Sequence, residues 1–131
     1  MRLVNPGLDG TTIPVAVGDV LLIGLFVLLG EFQHYGVGME AIARVPGTIT
    51  PFLLGWLLVA ILVGSYAADA LADPRTAAAR IGLTWIGAAL VGQTLRATPQ
   101  FPGKFAVPFL VVSLLVGLVL LVPYRVLLAR R

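Results

Sequence analysis

Cysteine is absent from this 131-residue chain, and with it go disulfides, thiolate metal sites and thiol nucleophiles. Histidine occurs once, as His34, which is too few for a usual His/Cys zinc site or for the paired axial histidines of a haem within one chain. Charge is scarce as well: 11% of the residues are Asp, Glu, Lys or Arg, with a single lysine, Lys104, beside eight arginines. The net charge of +3 comes with no recognisable nucleic-acid reading motif, so no nucleic-acid partner is implied. There is no phosphate-cradling glycine loop, and Ser65 and Ser113, in apolar stretches, offer His34 no nucleophilic partner. Enzymatic chemistry and cofactors therefore find no support in the residues, and no metal site is expected.

What the chain has in excess is apolar surface, at 59% hydrophobic residues, far from the soluble norm. It falls in four blocks, residues 13–30, 50–68, 81–95 and 106–122, each near the ~20 residues that cross a ~30 Å hydrocarbon layer. These uninterrupted Leu/Val/Ala/Gly runs lack the alternation of a transmembrane strand, and lipid leaves the backbone no partner outside its own helix. The expected fold is all-α: a four-transmembrane-helix bundle forming one integral membrane domain over residues 1–131. The first block reads as a span rather than a cleaved signal, because it carries Asp19 and ends in Gly30-Glu31-Phe32 without a small-x-small pattern.

Four spans put both termini and the middle connection on one side, with Arg2, Arg75, Arg80, Arg125, Arg130 and Arg131, against Arg44, Arg96 and Lys104 on the other. The positive-inside rule then predicts a multi-pass protein of the cell membrane with both termini cytoplasmic. Tyr124-Arg125 and Arg130-Arg131 read as an aromatic and basic anchor at the inner headgroups, so membrane lipids are expected partners. Gly36, Gly38, Pro46 and Gly47 argue against a continuous helix from Phe32 to Thr48, with an interfacial turn expected around residues 39–45. Asp73-Pro74 signals the start of the third helix.

The second span opens Pro51-Phe52-Leu53 and continues to Leu57-Leu58-Val59, and the fourth opens Pro108-Phe109-Leu110 and continues to Leu114-Leu115-Val116 at the same spacing. Leu29-Gly30-Glu31 with His34 likewise matches Val91-Gly92-Gln93 with Arg96. This pattern predicts two repeated helical hairpins related by a pseudo-twofold axis along the membrane normal. Small residues recurring every fourth position, Ala60, Gly64, Ala68 and Ala72 on one helix and Thr84, Ala88 and Gly92 on another, mark expected helix contacts.

An ionisable group at the centre of a spanning helix costs about 2.5 kcal/mol or more, so the few near the spans are the candidate functional residues. Asp19 is the intramembrane acid, expected to pair with Arg80 or Arg125 or else to cap a helix beginning after Gly18. Glu31 lies about 18 Å further along the helix axis, too far to touch Asp19. Glu31 and His34 share a helix face, and Gln93 and Arg96 reach the same depth, which predicts a polar cluster of Glu31, His34, Gln93 and Arg96 with a Glu31 to Arg96 ion pair.

Gly18-Asp19, Phe26, the segment Gly30-Glu31-Phe32-Gln33-His34, the run Pro51-Phe52-Leu53-Leu54-Gly55-Trp56-Leu57, Leu95-Arg96 and Pro108-Phe109 together span nearly the whole chain. In this ordered set the chain resembles a family of small archaeal and bacterial membrane proteins catalogued as domain of unknown function 3054. The commoner pattern of that family has Arg where this chain has Glu31. Similarity to archaeal members implies a halophilic source, although the chain lacks the acidic excess of soluble halophile proteins. No activity comes with the resemblance. The residues point to a small oligomeric transporter or channel-like protein, with an accessory or structural subunit of a larger membrane complex as the alternative.

Overall fold

Four helices make up almost all of the computed structural model, which describes residues 12–67, 69–98 and 107–130. They are α1 (Thr12–Tyr35), α2 (Met39–Val63), α3 (Pro74–Arg96) and α4 (Val107–Ala129). Each packs antiparallel against its chain neighbours, and α4 returns to α1, so the four close into an up-down-up-down ring. The α2 and α3 contact is the most extensive and the α1 and α4 contact the least.

The start of α3 is where the sequence put it. Asp73 sits in extended backbone, its carboxylate accepts the Thr76 N–H at 2.8 Å, and Pro74 occupies the first turn, where its missing N–H costs nothing. Helix α2 differs from expectation. It begins at Met39 and runs through Pro46 and Pro51, so the connection from α1 shrinks to residues 36–38 and residues 39–45 are helix rather than an interfacial turn. Proline inside a membrane helix is tolerated where neighbouring groups take up the carbonyl four residues before it, and the Thr50 hydroxyl back-bonds to the Pro46 carbonyl at 2.6 Å in the stretch between the two prolines.

At its far end α2 stops at Val63, short of the expected residue 68. Gly64 takes the left-handed conformation (φ 84°), and its N–H and that of Ser65 both return to the Ala60 carbonyl. The stripe expected to run from Ala60 through Gly64 is therefore broken: Ala60 is buried in the core, Gly64 ends the helix, and Ala72 lies exposed beyond it. Ala68 falls outside the described residues.

On α3 the small residues face inward. Thr84, Ala88 and Gly92 are buried, and a Cβ built on Gly92 would come within 2.7 Å of the Phe52 ring. On the facing helix a Cβ on Gly55 would come within 2.8 Å of the Ala88 carbonyl. These notches let α2 and α3 approach closely, which is how membrane helices gain contact where apolar burial alone gives no drive.

Three helices, Ile13–Tyr35, Met39–Val63 and Val107–Ala129, are long and apolar enough to cross a membrane. They mark a multi-pass membrane protein. Helix α3 has comparable length but falls short in hydropathy, because Arg75, Thr76, Arg80, Thr84, Gln93 and Arg96 lie along it. It is also the helix with the most buried side chains, wedged between α2 and α4. The middle of the bundle is aromatic: Phe26 stands edge-on to Phe52 and Trp85 at 5.5 and 5.4 Å, and Phe109 stacks on Phe26 at 6.2 Å.

Candidate functional site

Polar side chains gather at two levels, on either side of that aromatic layer. The proximal level lies toward the start of α1 and the end of α4, the distal level toward the α1–α2 connection and the end of α3.

The proximal group is built on Asp19, about two turns into α1, so the capping alternative does not hold. Its partner is Arg125 of α4: Nε donates to Oδ1 at 3.0 Å and Nη2 to Oδ2 at 2.6 Å, a bidentate pair with both residues at 0% exposure. Arg125 Nη1 donates to the Ser65 carbonyl at 2.9 Å, and the guanidinium lies 5.0 Å from the centre of the Tyr66 ring. The Tyr66 hydroxyl donates to Asp19 at 2.5 Å and accepts from Trp56 Nε1 at 3.0 Å. Ser65 and Thr84 hydrogen-bond each other, tying the α2–α3 turn to α3. Burial, followed by the Asp19 charge, holds the Tyr66 phenol well above its ordinary range, so it stays a donor.

Arg80, the other expected partner of Asp19, instead grips Asp69 with two nitrogens at 2.6 and 2.9 Å and donates to the Gly64 carbonyl. Nor do Tyr124 and Arg125 serve as an interfacial anchor. Helix α4 continues past Pro123 to Ala129, which draws both inside: Tyr124 donates to the Val15 carbonyl at 3.1 Å and fills the space left by Gly18. Ser65 lies in the turn after α2, not within an apolar helix.

At the distal level Glu31 is buried and takes a hydrogen bond from Thr48 at 2.5 Å, with Arg44 Nε at 3.7 Å. Among the described residues its ion pair is with Arg44 rather than the expected Arg96, because the unexpected first turns of α2 carry Arg44 and Thr48 up beside it. Arg44 also lies over the Tyr35 ring at 4.1 Å. Arg96 is half-buried on the face of Phe109, 4.6 Å from the ring centre, and Nη1 donates to Gln93 Oε1 at 3.2 Å. Its Nε is buried without a partner. Gln93, fully buried, donates to Ser113, and Ser113 to the Phe109 carbonyl. His34 is exposed and meets the same Phe109 ring edge-on at 6.5 Å. No group of three His, Cys, Asp or Glu side chains suited to a metal occurs among the described residues.

Arg44, Thr48, Tyr66 and Ser65 went unread in the sequence as site residues. The signal for Arg125 was present: an acid inside a span needs a cation at its own depth.

Helices of this length around a compensated intramembrane charge pair define a small polytopic α-helical membrane protein. The model of "Protein of unknown function (DUF3054)" matches residues 16–128, and the chain belongs to that family. No curated protein and no solved structure matches it.

Proposed function

We propose that the protein is a small membrane transporter acting as an oligomer. Its substrate end is the distal group of Glu31, His34, Gln93 and Arg96, and its closed gate is the proximal pair. One observation carries this reading: Asp19 and Arg125 join α1 to α4, the two helices with the least other contact. A fully compensated pair laid across the weakest seam is a latch, since the seam parts only if the pair does.

The repeated hairpins belong to the same proposal: Phe52 and Phe109, each following a proline, lie 6.3 Å apart near the middle of the ring, where an axis exchanging them would pass, although the α2–α3 contact far exceeds the α1–α4 contact that this axis would make equivalent. Helix α3, packed along both α2 and α4, is read as the fourth span, shielded by its neighbours from the lipid its polar residues would not tolerate. Both termini then share one side, which the positive-inside rule makes the cytoplasm.

An accessory subunit of a larger membrane complex is the second reading, favoured by the aromatic layer between the two polar levels. A subunit needs no path through that layer, whereas the transporter reading requires an oligomer and an opening seam.

The absence of cysteine makes the test direct. Val15→Cys and Tyr124→Cys would be joined by a reducible bis-maleimide across the seam in proteoliposomes, and uptake followed for a panel of labelled small ions and metabolites. Flux that stops on cross-linking and returns on reduction is expected. A panel with no protein-dependent flux, or flux indifferent to the cross-link, would leave the subunit reading.

A further inference from the structure

Resting on the distal group as the substrate end, we infer that Arg96 is the receptor for an oxyanion, a phosphate-type group, bound where α3 lays the guanidinium over Phe109 of α4. The six arginines among the described residues divide by what their charge meets. Arg44, Arg80 and Arg125 each have a carboxylate within ion-pair distance. Arg75 and Arg130 are exposed at helix ends. Arg96 is the one left half-buried with no carboxylate within that distance, and the neighbouring acid, Glu31, is already engaged by Arg44 and Thr48.

A cation near a membrane span is normally paired, so an unpaired one that the fold nevertheless holds in place is set for a partner that comes and goes. The holding is specific. Phe109 supports the guanidinium face, and Gln93, anchored through Ser113 to the Phe109 carbonyl, fixes Nη1. With Nη1 taken by Gln93, the edge of parallel N–H donors formed by Nε and Nη2 has no hydrogen-bond partner among the described residues; Nε is buried, so an oxyanion would reach this edge from the Nη2 side. His34 meets the same Phe109 ring at 6.5 Å and offers an exposed N–H donor on that side. The oxyanion would belong to a free solute or to a phospholipid headgroup, and the same fork serves both.

The thermal midpoint of the detergent-purified protein would be titrated with sodium phosphate against sodium chloride of equal ionic strength, and native mass spectrometry would be run on protein released from phosphatidylglycerol nanodiscs. A phosphate-dependent rise, with apparent affinity at least tenfold weaker in Arg96→Gln, assigns a free oxyanion. A retained phospholipid lost in Arg96→Gln assigns the headgroup, and either outcome supports the site. Where Arg96→Gln does not purify, Arg96→Lys, which keeps the charge and loses the fork, carries the comparison. Neither response in the wild type, or a response that the variants keep, overturns the inference. Both readouts are independent of flux. A cross-link that stops uptake while Arg96 binds nothing removes the oxyanion and keeps the transporter, whereas binding at Arg96 with uptake indifferent to the cross-link does the reverse.

Discussion

Arg125 shows what a charged residue must do to live inside this bundle. Each of its three guanidinium nitrogens donates to an oxygen, and its counter-ion Asp19 is bound by both Arg125 and Tyr66, so neither charge meets lipid. Two lone charges at this depth would each cost about 2.5–3.5 kcal/mol, and removing one partner strands the other. Arg125→Met should therefore lose about 3–5 kcal/mol, measured as steric-trap or denaturant unfolding in bicelles, while Asp19→Leu combined with Arg125→Met should recover most of it. A double variant as unstable as the single one would mean that the pair is more than a mutually compensating couple. The same comparison bears on the latch, because a seam held by apolar packing in the double variant stays closed without the pair's capacity to part.

At the level of the helices, the lengths of the apolar blocks made four helices legible in the sequence, and Asp73-Pro74 placed the start of α3. The errors share one cause, which is that punctuation residues behave differently inside a bundle. Pro46 and Gly47 read as a break, yet α2 passes through them, and its extra turns bring Arg44 and Thr48 to Glu31. The fourth apolar block ended at residue 122, yet α4 continues through Pro123 to Ala129 and carries Arg125 inward. The misplaced Glu31 ion pair followed from a misplaced helix start, since the partner of a buried charge is set by depth and depth is set by where a helix begins, whereas Asp19 took Arg125, one of its two expected partners. Asp73 tests the start of α3. The Thr76 N–H, then the Thr76 hydroxyl, hold its carboxyl below the ordinary carboxylate range. A value depressed by folding stabilises at pH values above the unfolded one and is lost as pH falls through the folded one. The thermal midpoint of Asp73→Ala should thus lie below that of the wild type at neutral pH, with the gap closing in strong acid. A gap unchanged across that range would remove the carboxylate cap as its source.

For the molecule as a whole, the question is which way the ring of helices faces, and the fold changes the terms in which the charges are counted. Arg125 leaves the tally of loop cations, because it is buried against Asp19, whereas Arg75, Arg80 and Arg130 remain at the proximal end and Arg44 and Arg96 at the distal end. Positive charge in short connections resists translocation, and acidic neighbours such as Asp69 and Glu31 offset this little, so the proximal end should stay in the cytoplasm. That orientation turns the latch inward and the Arg96 end outward, the arrangement expected of a carrier that receives its solute from outside. Single cysteines introduced at Ala72 and Val37, exposed positions at the two ends, need no background cysteines removed. In intact cells a membrane-impermeant maleimide should label Val37→Cys and leave Ala72→Cys unlabelled until the membrane is permeabilised. Labelling of Ala72→Cys alone would invert the molecule and point Arg96 at the cytoplasm. Labelling of both would mean that α2 does not cross, and four spans could no longer be drawn.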